Sequence, residues 1–266
     1  MPAPTGVITL ITDFGHNDIL VGVMKGVIAG VCPAARVVDL CHYVTPFDAA
    51  EAASLLCDAY PYFPQGTIHV VVVDPGVGAS RDIILVHACG HYFIAPDTGA
   101  LWPVASGRSF QAVKVTNSQY FLPTVSATFH GRDIFAPVAA HLCLGVPLAS
   151  FGPPISEPRR LDAPTPSVFP SGAVVGAVVR CDRFGNLITN IPRSLVANPA
   201  RAVVSVGGHV LRGIHATFSD APPGEALAYF GSFGAVEIAV NRGDASQALK
   251  AGRGDAVEIT LETAGL

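Results

Sequence analysis

The chain has 266 residues, of which 50% are hydrophobic and 14% are charged, so one large domain or two modest ones with a sizeable core are expected. The net charge of −4 disfavours a nucleic-acid partner, because such proteins usually carry a basic face. No apolar run reaches the ~18 residues of a membrane span, and the amino terminus lacks an export signal, so a cytoplasmic protein without membrane contact is expected.

The first half of the chain alternates strands and helices. Strands are predicted over Val7–Thr12, Arg36–Leu40, Val70–Val73, Ile83–His87 and His91–Ala95, and helices over Ile19–Cys32, Asp48–Tyr60 and Asp133–Leu144. Asp48, with Glu51 three residues later, is expected to form a capping box. This rhythm predicts an N-terminal α/β domain, Rossmann-like, over residues 1–150, with a central and mostly parallel sheet.

The composition changes after residue 150. Seven of the 22 prolines fall between Pro147 and Pro170, which predicts a Pro-rich linker over residues 151–171. Strands are then predicted over Gly172–Cys181, Ala202–Gly207, Ala235–Val240 and Ala256–Leu261, with glycine-containing turns between them. Residues 172–266 are therefore expected to form a smaller C-terminal all-β domain, a barrel or a sandwich.

The six cysteines are scattered, without C-x-x-C pairs or a Cys/His cluster at zinc spacing. The sequence also lacks the phosphate-binding loop G-x-x-x-x-G-K-[ST], a G-x-G-x-x-G motif after the first strand and the G-x-S-x-G elbow of esterases. A disulfide framework, a metal and a bound cofactor are therefore not expected.

The stretch from His69 to Arg81 is the first candidate site. Val70–Val73 is an unbroken β-branched run, typical of a strand buried on both faces of a parallel sheet. It ends on Asp74 and a glycine loop, and ligands of open α/β sheets sit outside the carboxyl ends of the strands. The alternative is a turn in which Asp74 caps the next element.

Two further polar residues occupy similar junctions. Asp13 ends the first strand, where an acid accepts hydrogen bonds from a ribose diol in nucleotide-binding folds; the alternative is a cap for the following helix. His130 immediately precedes a predicted helix and would form a charged trio with Asp74 and Arg81; the alternative is an ordinary, satisfied histidine.

In the second half, residues 180–192 contain acidic, aromatic and amide groups at a strand-to-turn junction. Phe184 would stack on a purine and Asn186 would pair with it, whereas the alternative is a glycine hairpin with Asx turns. The segments 229–233 and 237–241 fit either a binding rim or an ordinary strand pair.

Nine motifs in this order resemble those of the S-adenosyl-L-methionine hydrolase (adenosine-forming) family, also called SAM hydroxide adenosyltransferases, which are relatives of fluorinase and chlorinase. They are Thr12–Gly15, Asp39–His42, Thr45–Asp48, Phe63–Thr67, Val73–Gly78, Pro96–Gly99, Phe129–Asp133, Asp182–Asn186 and Gly231–Ser232. Each motif alone is unspecific, but nine in register from Val7 to Leu261 are specific.

The resemblance implies attack of water or hydroxide on C5′ of S-adenosyl-L-methionine (SAM), which releases adenosine and L-methionine. It implies that Asp74, Arg81 and His130 position the nucleophile, and leaves open whether Asp74 or His130 accepts the proton. The leaving group is a neutral thioether, so no general acid is required, and SAM is the substrate rather than a cofactor.

The resemblance also implies the substrate contacts and the assembly. By similarity, Asp13 holds the ribose hydroxyls, Phe47 lies against the sugar, Asp182 and Ser232 grip the methionine end, and Phe184 and Asn186, with the backbone of Val240, Asn241 and Arg242, frame the adenine. A homotrimer is implied, with each site built between the first domain of one subunit and the second domain of a neighbour.

Two alternatives remain at this point: a SAM-dependent halogenase of the same superfamily, and a non-catalytic protein that binds adenosine or SAM. Asp74 stands where the fluorinase has a tyrosine, and Gly131 stands where it has a halide-binding serine. A carboxylate beside the nucleophile repels halide and favours water, so hydrolysis is preferred. Phe233 replaces an arginine of the fluorinase, which weakens the expected grip on the methionine carboxylate.

Overall fold

A computed structural model describes residues 3–78 and 81–262 and divides the chain into two compact units at Asp162/Ala163. The division falls within the predicted linker, whose own bounds stay a prediction. Ala79 and Ser80, in the predicted glycine loop, lie outside the described residues, as do residues 1–2 and 263–266. Within the described ranges no helix has the length and apolar character needed to cross a membrane.

The first unit alternates strands and helices, as predicted. Its strands are β1 (Val7–Thr12), β2 (Arg36–Cys41), β3 (Ile68–Val72), β4 (Ile83–Ala88), β5 (His91–Pro96) and β6 (Phe110–Lys114). Its helices are α1 (Leu20–Val31), α2 (Ala49–Ala59), α3 (Trp102–Ala105) and α4 (Ala136–Cys143). A π-helical turn, Gly131–Phe135, leads directly into α4, so the helical stretch begins two residues before the predicted Asp133.

The six strands form one sheet in the order β2-β1-β3-β5-β4-β6. The pairs β1–β2, β1–β3 and β3–β5 are parallel, while β4 is antiparallel to both β5 and β6. The predicted α/β class with a mostly parallel sheet is confirmed. The edge strand β6 was not predicted.

Strand β3 is buried on both faces, as its β-branched sequence predicts. Val70 and Val72 pack in a core cluster with α1 and α4, whereas Val71 and Val73 pack in a second cluster with α2 and α3. Because successive side chains of a strand point to opposite faces, this run supplies the core on both sides of the sheet.

The local turn chemistry is mostly as predicted. Cys89 and Gly90 join β4 to β5 with φ of 53° and 79°, as a tight hairpin requires. Asp48 caps α2 by accepting the N–H groups of Ala50 and Glu51. The expected capping box is wrong, because the Glu51 carboxylate instead accepts the N–H of Thr45.

The second unit contains one sheet of nine strands in the order β11-β10-β15-β8-β9-β14-β13-β12, with β7 beside β8. The strands are β7 (Ser167–Val168), β8 (Val174–Cys181), β9 (Leu187–Pro192), β10 (Ala202–Val206), β11 (His209–Arg212), β12 (Ile214–His215), β13 (Ala226–Phe230), β14 (Ala235–Val240) and β15 (Ala256–Leu261), and a short helix, α5 (Ala245–Ala248), precedes β15. The sheet is barrel-like and nearly closed, which confirms the predicted β domain. Strands β7, β9, β11 and β12 were not predicted, and the residues of β9 were interpreted as part of a strand-to-turn junction because of their amide groups.

Candidate active site

A cleft of about 90 Å³ lies at the carboxyl edge of the first unit's sheet, next to the start of the π-helical turn. We call it the nucleophile cleft. Its lining residues are Asp13, Phe14, Phe47, Val72, Asp74, Val77, Thr128, Phe129, His130 and Gly131. Because β1 and β3 are parallel neighbours, the acids that follow them, Asp13 and Asp74, arrive at the same edge.

Asp74 is 8% exposed, and its carboxylate has defined partners. Its Oδ1 accepts the N–H of Gly76 at 3.0 Å, which closes the turn after β3. Its Oδ2 accepts Nε of Arg81 at 2.7 Å and Nη2 of the same residue at 2.5 Å. Asp74 therefore both forms the turn and carries a buried charge that is paired with Arg81. Charge-assisted hydrogen bonds of this kind fix the relative positions of the two side chains well.

Arg81 also reaches His130, 49 residues away in sequence. Its Nη2 lies 2.7 Å from His130 Nδ1, and because a guanidinium only donates, Nδ1 must accept. Burial first, and then the charge of Arg81, lower the pKa of His130, so its imidazole is neutral at pH 7. Neutral imidazole with an accepting Nδ1 carries its proton on Nε2.

The loop that carries His130 is held by a residue that sequence reasoning missed. Asp133 is fully buried and accepts the N–H and the hydroxyl of Ser126, both at 2.8 Å, and Nε of Arg132 at 2.6 Å. Burial raises the pKa of Asp133, but these bonds outweigh burial and hold it below its usual range. Gly131 is closely packed, since a Cβ there would lie 3.1 Å from Met24 Sδ and would require that side chain to shift slightly.

Asp13 and Phe47 are joined directly. Asp13 Oδ2 accepts the N–H of Phe47 at 2.9 Å, and the Phe47 ring is 63% exposed. Phe47 has φ of +68°, a conformation that costs a residue other than glycine about 1 kcal/mol or more. Asp13 does not cap α1 as the alternative proposed; Ile19, the residue before α1, donates its N–H to Asp18.

The second unit contains a larger pocket of about 770 Å³, which we call the β-domain pocket. Its lining residues are Arg180, Asp182, Phe184, Asn186, Ile188, Phe218, Tyr229, Ser232, Phe233, Glu237, Val240, Asn241, Arg242 and Gly243. The seven residues of this domain that the sequence singled out all lie in this lining. The residues predicted in the first domain lie in the first unit, around the nucleophile cleft.

Asp182 and Asn186 stabilise their own turn at the rim of this pocket. Asp182 Oδ1 accepts the N–H groups of Phe184 and Asn186, and its Oδ2 accepts Asn186 Nδ2 at 2.7 Å. These hydrogen bonds form an Asx turn, which was the alternative interpretation of this segment. The same turn leaves the Phe184 ring 75% exposed, as a flat apolar surface on the pocket wall.

Glu237 and Tyr229 are pocket residues that the sequence reasoning did not assign. Glu237 is 8% exposed and accepts a hydrogen bond from the Tyr229 hydroxyl. Burial, followed by this bond, raises the pKa of Tyr229. Glu237 is the one polar residue in the otherwise apolar strand β14, and this position in the sequence could have marked it as a candidate pocket residue. Gly231 lies so close that a Cβ would overlap the Glu237 carboxylate.

Among the described residues, no three or more His, Cys, Asp and Glu side chains are grouped so that they could hold a metal ion. In this part of the chain, none of the six cysteines forms a disulfide.

Comparison with known proteins gives consistent matches. Residues 8–152 match the family model for the SAM hydroxide adenosyltransferase N-terminal domain, and residues 176–258 match that for the C-terminal domain. The chain is 40% identical to the (R)-S-adenosyl-L-methionine hydrolase of Salinispora arenicola, across 97% of this chain and 99% of that protein. A solved structure from Thermotoga maritima, described as an uncharacterized conserved protein, is 40% identical with a TM-score of 0.89 and covers 96% of this chain and 99% of its own.

A fluorinase of Actinoplanes sp. is 31% identical over 71% of this chain and 72% of its own length. The sequence is therefore similar both to a hydrolase and to a halogenase, and the residues that line the cleft must distinguish the two activities.

Proposed function

Because the chain belongs to the SAM hydroxide adenosyltransferase family, we propose that it hydrolyses SAM to adenosine and L-methionine. The name of the Salinispora relative specifies the (R) form, so this is the diastereomer we propose as substrate. The observation that carries the proposal is that Arg81 contacts both Asp74 and His130, which line the nucleophile cleft. Chromatography after incubation with each SAM diastereomer in halide-free buffer tests it.

We assign acceptance of the proton to Asp74. His130 Nδ1 is committed to Arg81 and Nε2 already carries a proton, so neutral His130 serves as a donor. Asp74 Oδ1 accepts one N–H, from Gly76, and a carboxylate oxygen has a second lone pair for water. In the step, the water oxygen forms a bond to C5′ while the C5′–S bond breaks. The electron pair of the broken bond stays on sulfur, which leaves as the neutral thioether of L-methionine, and a water proton passes to Asp74.

Charge and geometry both favour this reaction. Negative charge on the attacking oxygen and the positive charge of the sulfonium are both lost as the oxygen bonds to C5′, so exclusion of water around the bound substrate would favour the step. Water is a weak nucleophile, because its pKa in bulk is very high, so its activation and its alignment behind C5′ are the tasks left to the protein. Asp74, held from two sides by Arg81 and Gly76, is suited to both.

The substrate contacts follow the same proposal. Asp13 accepts the ribose hydroxyls and Phe47 covers the sugar. In the β-domain pocket the exposed Phe184 ring stacks on adenine, beside the Asn186 amide and the backbone of residues 240–242. Asp182 and Ser232 are proposed to contact the methionine end, although the Asp182 carboxylate already accepts three hydrogen bonds from its own turn.

Halogenation is the second candidate, because a fluorinase is among the relatives. The buried carboxylate of Asp74 disfavours it, since a halide in the cleft would lie beside a like charge. Incubation with SAM and either fluoride or chloride is expected to give adenosine and no 5′-halo-adenosine. Calorimetric binding of adenosine without turnover over hours would instead favour a binding protein.

We further propose that the chain forms a homotrimer with sites shared between subunits. Mixing the inactive variants Asp74→Ala and Asp182→Ala tests this, because a shared site takes its first domain from one chain and its second from another. Co-refolded equal mixtures are then expected to recover about a quarter of wild-type activity. No recovery, from mixtures shown to contain both chains in each oligomer, contradicts shared sites.

We propose that the reaction needs no metal or other cofactor and takes place in the cytoplasm. Turnover unchanged after exhaustive chelation tests the first point, and cell fractionation tests the second.

A further inference from the structure

His42 is buried without exposed surface directly after β2, in contact with the polar side chains of Thr12, Asp39 and His16. Its Nδ1 lies 2.9 Å from the hydroxyl oxygen of Thr12, at the end of β1. Its Nε2 lies 3.0 Å from Asp39 Oδ1, whose other oxygen accepts Lys25 Nζ at 2.5 Å. Lys25, Asp39, His42 and Thr12 form a continuous chain of contacts, which we call the His42 relay.

The charge of Asp39 indicates which nitrogen of His42 carries the proton. Burial raises the pKa of Asp39, but the neighbouring Lys25 and His42 outweigh burial and lower it, so the carboxylate is ionised. At 3.0 Å from Nε2 this negative charge favours a proton on that nitrogen, although the two atoms are not aligned as a hydrogen bond. Burial is the largest influence on His42 and lowers its pKa, so the imidazole is neutral at pH 7. Nδ1 therefore has a lone pair, and the Thr12 hydroxyl donates to it.

This direction fixes the turn that follows β1. With its proton on the His42 side, the Thr12 oxygen accepts the N–H of Phe14 at 3.2 Å. The backbone carbonyl of His42 accepts the N–H of Gly15 at 2.6 Å. The imidazole and the backbone of one residue thus hold both N–H groups that follow Asp13. Asp13 in turn accepts the N–H of Phe47, so the relay reaches both residues proposed to contact the sugar.

We propose that His42 is a positioning residue, which orients the Asp13 carboxylate toward the ribose hydroxyls through Thr12 and the turn at residues 13–15. The inference rests on the proposed function, because it assigns the ribose to Asp13. The competing possibility is that His42 only stabilises the fold. His91, which is 4% exposed at the other edge of the same sheet, is the matched control for that possibility.

The test compares SAM with its 2′,3′-dideoxyribosyl analogue, which has no hydroxyl for Asp13 to accept. His42→Leu is expected to lower kcat/KM for SAM by about ten- to hundredfold, the effect of a misplaced binding group, with little change for the analogue. His42→Asn retains an acceptor near the position of Nδ1 and is expected to recover part of the loss. His91→Leu is expected to lower Tm and leave the ratio of the two kcat/KM values unchanged.

Equal loss for both substrates in the His42 variants, matching that in His91→Leu, overturns the proposal. If the wild-type chain has no turnover, the proposed function fails, and the same ratio is then measured by calorimetry with adenosine and 2′,3′-dideoxyadenosine. Nitrogen-15 NMR of the wild-type protein gives an independent result that does not need a folded variant. A protonated His42 imidazole, or a proton on Nδ1, contradicts the relay regardless of activity.

Discussion

The two edges of the first unit's sheet place their polar side chains in opposite surroundings. At the carboxyl edge, Asp13, Asp74 and His42 are held by charged or hydrogen-bonding partners, and the two acids line a cleft. At the amino edge, His69 and His91 are buried among rings without a charged partner among the contacts described for them.

At the amino edge, His69 and His91 form a polar pair that is packed among aromatic rings. His69 Nδ1 lies 2.8 Å from the Thr9 hydroxyl, and its Nε2 lies 3.4 Å from His91 Nδ1. The His69 ring stacks on Phe93 with centroids 5.2 Å apart. Burial lowers the pKa of His69 to about 3, so the ring is neutral and serves packing.

The difference follows from where chain segments converge. Loops meet at the carboxyl edge of a parallel sheet, so side chains there must satisfy each other, and the result is charge held in fixed positions. At the amino edge the strands begin inside the core, where a neutral group is less costly than a charge. Function is expected to depend on the first edge and stability on the second.

The largest expected effect is at the carboxyl edge, in Asp74→Asn. The amide is a poor proton acceptor and no longer neutralises Arg81, so kcat is expected to fall by about 10²–10⁴-fold. Adenosine release measured by chromatography checks this, with Tm recorded alongside. Turnover within twofold of wild type would remove Asp74 from the mechanism.

Arg81→Lys is expected to cost less, about ten- to hundredfold in kcat. Lysine keeps the positive charge but loses the planar fork that contacts Asp74 and His130 together. Arg212→Lys, at an exposed pair with Glu262 in the second unit, is the matched control and should be neutral. Equal activity of both variants would show that the charge alone is sufficient.

The double variant Thr9→Val/His69→Phe tests the amino edge through pH. The unfolded chain protonates His69 near pH 6.5, whereas the folded chain does so near 3. Stability is therefore complete above about pH 6.5, and this residue removes about 1.4 kcal/mol of unfolding free energy for each pH unit below it. Denaturant titrations from pH 7 to 4 should show a shallower decline in the variant, with kcat at pH 7 preserved. An unchanged slope would refute the assignment to His69.

How far sequence predicts the molecule also differs between regions. Acids that end strands are visible in the sequence, so Asp13 and Asp74 were found, and their shared edge follows from parallel pairing. Partners from distant segments are harder to predict because their contacts depend on tertiary packing: Arg81 and His130 were expected together only as part of a charged trio, and the contact of His42 with Thr12 was not expected. The same holds for Asp133, whose burial no local pattern indicates.

In the second unit, strand alternation located β8, β10, β14 and β15, but not β9. The polar residues of β9 form hydrogen bonds to the neighbouring strands. The Thr189 hydroxyl donates to the Val236 carbonyl, and the Asn190 side chain accepts a hydrogen bond from the N–H of Ala177. A strand stabilised by such bonds has no simple apolar period, so sequence patterns assign it to a turn.

The smallest expected effect separates geometry from charge within the His42 relay. Lys25 and Asp39 form an ion pair with side chains 38% and 34% exposed, and such pairs contribute about 0–1 kcal/mol. Lys25→Met is therefore expected to change Tm and kcat/KM only slightly, since the Asp39 carboxylate still lies beside His42 Nε2 and favours a proton there. Asp39→Asn should be worse, because its amide can present a donor to Nε2–H and reverse the direction on which Thr12 depends. Steady-state kinetics at low and high salt compare the two, and a Lys25→Met loss as large as that of Asp39→Asn would mean that the lysine charge, not the hydrogen-bond direction, holds the turn at Asp13.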